Sequence, residues 1–384
     1  MALSTANSKW WQAAGVLAGA LLSWFLLSGS TSELYHWNVP SWMPLPVVPA
    51  DNPMTLEKVE LGRHLFYDKR LSKDNSMSCA SCHHQDKAFT DGLAVSTGIS
   101  GQIGIRSAMS LANVAYLPVL TWANPQLKAL EIQALIPIFG EHPIEMGMAG
   151  QEHLLFDRLK ADKRYQILFA RAFPQEARLN EAALYSLTTL TKAIASFQRS
   201  LLSFNSAYDQ YKYGNQPSAI SPAAKRGEAL FFGEKLECYH CHGGFNFTDN
   251  IQHARLPFAE QGFHNTGLYN TDGKGGYLAN NPGISEFTGD ATDMGKFRTP
   301  SLRNIAVTAP YMHDGSINTL EMVIGHHYAL AGRAGGQKFG SNPLRSELIA
   351  GFEISAEEII DIVAFLNSLT DHQLLRNPRH SNPW

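Results

Sequence analysis

Apolar residues recur every three or four positions in several long segments, a spacing that predicts amphipathic α-helices. Few stretches alternate with a period of two residues, so the same pattern predicts little β-strand. The helical segments, in chain order, are 56–72, 125–139, 152–173 and 180–204. Glycine, proline and serine then interrupt the pattern at residues 211–221, and Ser221-Pro222 marks the start of a new helix.

The segment that begins at this new helix parallels an earlier one. "SPAAKRGEALFFGEKLECYHCH" (221–242) and "TLEKVELGRHLFYDKRLSKDNSMSCASCH" (55–83) both run from a helix through Gly-x-x-Leu-Phe to Cys-x-x-Cys-His. We interpret this parallel as the duplication of one structural unit. The chain is therefore predicted to be mainly α, with an N-terminal domain over residues 54–212 and a C-terminal domain over residues 213–384. Long loops join the helices, and residues 243–300 form the longest of them.

The N-terminal residues predict export. Lys9 supplies a positive charge, residues 13–27 are uncharged and mostly apolar, and Ser28-Gly29-Ser30 offers small residues for cleavage. This is the pattern of a signal peptide over residues 1–30, and it predicts a periplasmic protein. The apolar run is shorter than the ~20 residues of a spanning helix, although an uncleaved N-terminal anchor is the alternative. Residues 31–53 are rich in Pro and Trp and are interpreted as an extended lead-in.

Composition narrows the class of protein. With 384 residues, of which 44% are hydrophobic, the chain can bury a substantial core and its length suits two domains. Charged residues make up 17% and the formal net charge is −3, so no basic field indicates nucleic acid as a partner. The four cysteines fall in two pairs far apart in sequence, which is unlike the framework of a small disulfide-rich protein.

Each cysteine pair is followed directly by a histidine, in "CASCH" and "CYHCH". In this arrangement the two thiols attach a c-type haem and the histidine ligates its iron. A redox dithiol needs no following histidine, and zinc would need a closed tetrahedral set of Cys and His ligands. Two covalent haems are therefore predicted. Their attachment residues and proximal ligands are Cys79, Cys82, His83, Cys238, Cys241 and His242.

The first haem is predicted to have an open face. The loop that follows its attachment sequence contains no His or Met across residues 93–108. His84 adjoins His83 and is interpreted as a surface histidine. An iron with one open face binds and activates a small molecule, whereas an iron with two strong axial ligands transfers electrons.

Beyond the haem sequences, the chain resembles the bacterial di-haem cytochrome c peroxidase/MauG superfamily over essentially residues 50–384. The resemblance rests on "SLANVAY", "TWANPQLKALEIQALIPIFGEHPIEMG", "FHNTGLYN", "FRTPSLRNIAVTAPYMHDGS" and "TLEMVIGHHYALAG". Within it, "TWANP", "FGEHPIEMG", "HNTGLYN" and the terminal "SNPW" look most like the MbnH-type branch, which is linked to copper-responsive operons. The resemblance implies two cytochrome c-like haem domains, the first with an open, peroxide-reactive haem and the second with a six-coordinate haem.

The resemblance also implies roles for three residues near the first haem. Trp122 would lie between the haems, where an indole couples two irons that are too far apart for direct contact. Glu145 would move a proton between the two peroxide oxygens, and Gln133 would position the peroxide by hydrogen bonding. The alternatives are a core tryptophan for Trp122 and an exposed or ion-paired carboxylate for Glu145.

Members of the superfamily often hold a calcium ion between the haems, with an Asn side chain and backbone carbonyls as ligands. Ser107 stands at the Asn position here, and a hydroxyl is a weaker and shorter calcium ligand than an amide carbonyl. The carbonyls of Arg298 and Pro300 could still bind the ion. Calcium at these three residues is therefore an open expectation.

The second haem needs a ligand on its other face, and the resemblance places that ligand in "VIGHHYALAG" (323–332). His327 stands at the position of the Met or Tyr ligand of the family. Helical phase agrees, because His327 shares a face with Leu320 and Ile324 at 3.6 residues per turn. Tyr328 borders the same face and is the alternative ligand.

The predicted function follows from this ligand. Imidazole or phenolate in place of a thioether lowers the potential of the iron and stabilises its higher oxidation states. We expect an enzyme that uses H2O2 to form a high-valent state shared over two haems and oxidises a side chain, preferably Trp, of an exported partner protein. The alternatives are a cytochrome c peroxidase fed by small redox proteins and a di-haem electron carrier with both irons saturated. The oligomeric state, monomer or homodimer, is left open by the sequence.

Overall fold

The computed structural model describes residues 35–332 and 338–384. The predicted signal peptide and the start of the lead-in lie outside the described residues. From residue 35 to residue 54 the lead-in contains neither helix nor strand. In the part of the chain that the structure describes, no helix is long and apolar enough to cross a membrane.

The structure is mainly helical with little strand, which confirms the predicted fold class. The α-helices are α1 (Leu56–Tyr67), α2 (Leu130–Gln133), α3 (Leu135–Phe139), α4 (Glu152–Lys160), α5 (Lys163–Ala172), α6 (Pro174–Leu179), α7 (Glu181–Leu184), α8 (Leu187–Arg199), α9 (Ala207–Lys212), α10 (Pro222–Phe231), α11 (Tyr239–His242), α12 (Ser285–Thr288), α13 (Leu320–Met322), α14 (Ala356–Asn367) and α15 (His372–Arg376). Helix α13 continues directly into a π-helix, Val323–Tyr328. Single 3-10 turns are formed by Lys69–Leu71, Cys79–Ser81, Gln85–Lys87, Val114–Tyr116, Ala291–Asp293, Ile305–Val307 and Pro378–His380.

The strands form two small antiparallel ribbons. Strand β1 (Asn250–Ile251) pairs with β2 (Glu260–Gln261), and β3 (Phe263–Asn265) pairs with β4 (Lys296–Arg298). The register sets Asn250 opposite Gln261 and Phe263 opposite Arg298. Both ribbons lie within residues 243–300, so the segment predicted as the longest loop is organised by short strand pairs.

Capping residues explain where the predicted helical segments divide. The segment 152–173 forms α4 and α5 because the Asp162 carboxylate accepts a hydrogen bond from the backbone N–H of Arg164 and caps a new helix. In the segment 180–204, Ser186 forms a capping box with Thr189, so the long helix α8 begins there. The apolar pattern does not reveal these breaks because apolar positions continue across them.

Two helix pairs repeat the same close contact. Helix α1 crosses α8 at Gly62, where a Cβ atom would lie 1.9 Å from the carbonyl oxygen of Ala193. Helix α10 crosses α14 at Gly227, where a Cβ atom would lie 2.0 Å from the carbonyl oxygen of Asp361. Only glycine permits this approach of two backbones. Each glycine opens a Gly-x-x-Leu-Phe sequence, so the repeated sequence forms a repeated structure.

The phenylalanine that ends each Gly-x-x-Leu-Phe sequence packs beside a Cys-x-x-Cys-His sequence. The Phe66 ring lies 6.1 Å from that of Phe89, and the Phe231 ring lies 6.1 Å from that of Phe247. Phe89 and Phe247 follow the two Cys-x-x-Cys-His sequences, and both have left-handed backbone with φ of 63° and 51°. The core of each unit therefore reaches its own cysteine pair.

The C-terminal residues return to the first unit. Leu374 of α15 is buried in the same core as the Phe66 and Phe197 rings of α1 and α8. The Tyr67 hydroxyl of α1 donates a hydrogen bond of 2.7 Å to the carbonyl of His380. The chain segment predicted as the C-terminal domain thus contributes its last helix to the core of the other unit.

Candidate functional site

Both predicted proximal histidines are held in the same way. Nδ1 of His83 lies 2.6 Å from the carbonyl oxygen of Phe89, and Nδ1 of His242 lies 3.0 Å from that of Phe247. A carbonyl only accepts hydrogen bonds, so Nδ1 carries the proton and Nε2 is the nitrogen available to a metal. Burial lowers the pKa of both rings, which favours the neutral imidazole that binds iron.

The local turn explains the shared geometry at the first site. The backbone N–H of Phe89 donates to the carbonyl of His84 at 2.8 Å, and the N–H of His84 donates to the carbonyl of Thr90 at 2.9 Å. The left-handed conformation of Phe89 turns its carbonyl back towards the ring of His83. The His84 side chain is exposed, in agreement with its interpretation as a surface histidine.

The cysteines are arranged for attachment of a ligand from one side. The N–H of His83 donates to the carbonyl of Cys79 at 3.1 Å, and the N–H of His242 donates to that of Cys238 at 2.9 Å. Each of these tight turns brings its two thiols and its histidine together. Both cysteines are partly buried, and burial raises the pKa of Cys79 and of Cys238 to about 12.

Glu145 lies near the first cysteine pair. Burial raises the pKa of the Cys82 thiol most, and the charge of Glu145 raises it further. The backbone N–H of Ile99 donates to the Glu145 carbonyl at 2.9 Å, so the glycine-rich loop beside the predicted open face packs against this residue. Burial raises the pKa of the Glu145 carboxyl, with no cation nearby to offset it. A buried carboxyl of this kind is suited to proton transfer.

Gln133 and Trp122 occupy different surroundings. Gln133 ends α2 and is partly buried. Trp122 lies in the wall of a cavity of about 280 Å³ that extends from Thr90 and Met109, beside the first proximal histidine, to His242. The Trp122 indole N–H donates a hydrogen bond of 2.9 Å to the Ser107 carbonyl, which holds the ring in this wall.

The π-helix contributes Tyr328 to the wall of this cavity. The carbonyl of Ile324 accepts a hydrogen bond of 2.9 Å from the N–H of Ala329, five residues later. In a π-turn, residue i+5 takes the place that residue i+4 has in an α-turn. Tyr328 therefore lies on the same face of the helix as Val323. Val323 and Tyr328 both line the cavity together with His242.

His327 is completely buried and is not among the described residues that line the cavity. Helical phase at 3.6 residues per turn therefore does not apply to this segment, and the geometry favours Tyr328, the alternative ligand. Burial first, and then the thiols of Cys241 and Cys238, raise the pKa of the Tyr328 phenol. A metal would have to displace the phenolic proton. His327 as a ligand stays a prediction.

The side chain of Arg298 lines the cavity, whereas the sequence pointed only to its carbonyl. It is buried, and its Nε donates to the carbonyl of Thr121 at 3.1 Å. Its other contacts are the carbonyl of Thr299 at 3.4 Å and Sδ of Met109 at 3.2 Å. In the described part of the chain, no carboxylate forms an ion pair with this guanidinium. Burial lowers the pKa of Arg298 to about 10.

The cavity therefore fits a group with a metal and an anion. Arg298 lines it together with His242. The charge of Asp249 offsets part of the cost of burying this cation, and an anion in the occupant of the cavity would offset more. A haem would supply such an anion through its propionates, and His242 would hold its iron through Nε2.

Ser107 lies at the predicted calcium position, with its polar groups already in contact with protein. Its hydroxyl donates to the carbonyl of Met312 at 3.3 Å, and its N–H donates to the carbonyl of His313 at 2.9 Å. The Pro300 carbonyl lies beside the His242 ring and favours its protonated form. Calcium stays a prediction.

A His–Asp pair next to the second attachment site has no signal in the sequence. Nε2 of His264 lies 2.6 Å from Oδ2 of Asp249, and the sulfur of Cys241 lies within 4.8 Å of both ligand atoms. The carboxylate first, and then the sulfur, raise the pKa of His264 to about 10. Attachment of a haem to Cys241 would remove the sulfur from this set and leave the His–Asp pair beside the attachment site.

Comparison with known proteins identifies the family. The chain is 34% identical over 332 residues to "Methylamine utilization protein MauG" of Methylophilus methylotrophus, covering 86% of this chain and 86% of that protein. The chain belongs to the di-haem cytochrome c peroxidase/MauG family. The family profile described as "Di-haem cytochrome c peroxidase" matches residues 56–217. The chain is also 34% identical over 374 residues to "Cytochrome-c peroxidase IdrP1" of Pseudomonas sp. (strain SCT), covering 92% and 91% of the two chains.

A solved structure extends the similarity to the whole fold. The chain superposes with a TM-score of 0.86 and 48% identity on "a MauG-like protein associated with microbial copper homeostasis", covering 91% of this chain and 99% of that chain. Membership of the di-haem cytochrome c peroxidase/MauG family confirms the predicted enzyme class, a peroxidase-type oxidoreductase that carries two c-type haems and uses H2O2.

Proposed function

We propose that this di-haem peroxidase uses H2O2 to oxidise a side chain, preferably Trp, of an exported partner protein. The observation that supports the proposal is that Trp122 lines the same cavity as His242 and as Met109, whose backbone lies beside His83. An indole can pass oxidising equivalents between two irons. The π-helix that supplies the candidate distal ligands contains no methionine, so it offers no thioether ligand to the second site.

The bound haems supply the redox chemistry, in which H2O2 is reduced to water and two oxidising equivalents remain. His83 and His242 would hold the irons through Nε2. The Glu145 carboxylate takes a proton from one peroxide oxygen and returns it to the other, which leaves as water. Gln133 holds the peroxide by a hydrogen bond from its side-chain amide.

Tyr328 would serve as the distal ligand of the second haem in this proposal, with His327 as the alternative. A phenolate oxygen stabilises the higher oxidation states of iron. Trp122 then couples the two sites, so that the oxidising equivalents are shared. Because electrons leave the partner by hopping, the partner stays at the surface and does not enter the cavity.

The enzyme acts in the periplasm, with residues 1–30 as the export signal or N-terminal anchor. Residues 54–212 carry the open haem and residues 213–384 the six-coordinate haem, with calcium at Ser107, Arg298 and Pro300 as an accessory ion. The similar solved protein is described as associated with microbial copper homeostasis, which supports an exported copper-handling protein as the partner.

The experiment adds H2O2 to the ferric protein without prior reduction. We expect a long-lived oxidised spectrum that Trp122→Phe abolishes while both haems stay attached. Trp37→Phe is the matched control, because Trp37 contacts Tyr35 in the lead-in, away from the cavity. An unchanged spectrum in Trp122→Phe would reduce this residue to core packing. A requirement for prior reduction, together with fast oxidation of reduced cytochrome c, would instead support the cytochrome c peroxidase alternative.

The distal ligand is tested separately by electron paramagnetic resonance of the resting ferric protein. Tyr328→Phe is expected to change the spin state of the second haem, whereas His327→Gln is not. The reverse result would restore His327 as the ligand. Two low-spin haems in the unmodified protein would contradict the open face of the first haem.

A further inference from the structure

We propose that Tyr208, with Glu228 as its proton acceptor, is the relay through which electrons of a partner protein reach the second haem. The relay deepens the proposed function and rests on it, because it supplies a route for a partner that remains at the surface. The residues involved lie on α9 and α10, outside the cavity wall described above.

A single residue, Phe247, lies between the side chains of His242 and Tyr208. The carbonyl of Phe247 lies 3.0 Å from His242 Nδ1, and the ring of Phe247 lies 5.6 Å from that of Tyr208 at an interplanar angle of 65°. Tyr208 also packs against Phe365 at 5.3 Å and is only 3% exposed. Of these groups the phenol is the one that is readily oxidised, so the phenylalanines act as spacers and hold it in place.

Tyr208 has a carboxylate in place to receive its proton. Its hydroxyl donates to Oε1 of Glu228 at 3.0 Å. The ammonium of Lys212 donates to the same oxygen at 2.8 Å and is itself 47% exposed, so it connects the carboxylate to solvent. Burial, and then the charge of Glu228, raise the pKa of the phenol. Tyr208 therefore keeps its proton until it is oxidised, and oxidation releases that proton to Glu228.

Oxidisable side chains continue from Tyr208 to the surface. The ring of Tyr211 lies 6.3 Å from that of Tyr208 and is partly exposed. Tyr213, two residues further along the chain, is 43% exposed, and its ring stacks on that of Trp42 with centroids 3.8 Å apart. An electron from a docked protein can therefore enter at this surface.

The duplicated first unit gives an internal comparison. Beside His83, the Phe66 ring lies 5.3 Å from that of Tyr67. The Tyr67 hydroxyl donates to the backbone carbonyl of His380, a group that cannot take up a proton at ordinary pH. The tyrosine beside the first proximal histidine therefore has no carboxylate as its hydrogen-bond acceptor, whereas Tyr208 has one.

Each electron that passes through the relay is accompanied by the movement of one proton between Tyr208 and Glu228. One oxidising equivalent derived from H2O2 takes an electron from Tyr208, whose phenolic proton moves to Glu228 and leaves a neutral phenoxyl radical. An electron from the partner, passing through Tyr211, reduces the radical, and the proton returns from Glu228. Two such cycles use the two equivalents of one H2O2, which takes up two protons and becomes two water molecules, while the partner loses two electrons.

The variants are Tyr208→Phe and Glu228→Gln, with Tyr165→Phe as the matched control. Tyr165 is also buried and donates to a carboxylate, Oδ2 of Asp68 at 2.7 Å, but it lies in the core of the first unit. Each haem-loaded protein, grown with ring-deuterated or ordinary tyrosine, is mixed with one equivalent of H2O2, frozen and examined by electron paramagnetic resonance. Optical spectra record the reaction of the haems, and haem content and melting temperature check the fold.

We expect a tyrosyl radical, narrowed by ring deuteration, in the unmodified protein and in Tyr165→Phe. It should be lost in Tyr208→Phe and reduced in Glu228→Gln, with the optical reaction of the haems unchanged. The oxidised proteins are then mixed with ferrocyanide, which is small enough to reach the haem edge, or with reduced cytochrome c. Tyr208→Phe should slow the reaction with cytochrome c and leave that with ferrocyanide unchanged.

Retention of the radical in Tyr208→Phe, or equal rates with cytochrome c, would overturn the relay. Loss of the radical in Tyr239→Phe instead would also overturn it, since Tyr239 lies between the two attachment cysteines of the second haem. Should Tyr208→Phe fail to load haem, Glu228→Gln tests the same proton step with the ring intact. If H2O2 leaves the optical spectrum of the unmodified protein unchanged, the proposed function fails, which is a distinct result.

Discussion

Replacing Gly227 with alanine perturbs the close helix contact on which the second haem unit is built. The new Cβ atom would lie 2.0 Å from the carbonyl oxygen and 2.6 Å from the carbonyl carbon of Asp361, and 2.8 Å from Cβ of Phe365. These atoms belong to the backbone and first side-chain carbon of α14, so they cannot rotate away. Helices α10 and α14 must therefore separate by about 1 Å before the contact reaches van der Waals distance.

Overpacking a core in this way costs about 1–3 kcal/mol. Alanine recovers about 1 kcal/mol, because it favours a helix over glycine. Since the clash is with backbone, we take the upper end of the first range and expect a net loss of about 2 kcal/mol, or about 4–8 °C in melting temperature. The shift also moves Phe231, whose ring packs on Phe247, so the carbonyl that orients His242 moves with it.

The assay is thermal unfolding of the haem-loaded protein by far-ultraviolet circular dichroism, with haem content measured on the same samples. Gly340→Ala is the control, because a methyl group there meets no atom within 4 Å. Gly62→Ala should act like Gly227→Ala, since its Cβ would lie 1.9 Å from the carbonyl oxygen of Ala193. An unchanged melting temperature and haem content in Gly227→Ala would refute the close contact as the reason for glycine.

Two further predictions concern the site. Arg298→Gln removes the buried cation that lines the cavity, so a redox titration should show a lower midpoint potential for the second haem, with Arg298→Lys retaining most of the original value. Equal potentials in all three proteins would place the guanidinium away from the haem. Glu145→Gln should slow the reaction with H2O2 by about 10²–10⁴ in stopped-flow measurements, because the amide cannot take the peroxide proton. Burial raises the pKa of the Glu145 carboxyl, and only the ionised form accepts a proton. The rate in the unmodified protein should therefore fall as pH drops through a value above the ordinary range of Glu, and a profile without this fall would contradict the role.

Long-range contacts account for what sequence reasoning missed. The guanidinium of Arg298 meets Thr121, and His264 meets Asp249, because loops bring distant segments together. The Tyr208–Glu228 pair joins two helices of the second unit. Nothing in the local spacing of these residues indicates their partners, since each is set by how the elements pack.

The distal ligand shows how a local prediction depends on hydrogen bonding. Position in the family and helical phase at 3.6 residues per turn selected His327, but phase presumes α-helical hydrogen bonds. The bond from Ala329 to the carbonyl of Ile324 widens the turn and brings Tyr328 to the cavity. Sequence spacing cannot reveal such a turn, because the same residues are compatible with an α-helix or a π-helix.

The sequence by itself determined the helical class, the duplicated unit, the family and the two haem attachment sites. These follow from short-range spacing, since thiols, histidine and glycine act within one or two turns of chain. Only the tertiary structure shows which side chains line the cavity and which distant side chains meet. Arg298, Tyr328 and the Tyr208–Glu228 pair owe their positions to packing and hydrogen-bond register, where a shift of one residue changes the face that meets the cavity.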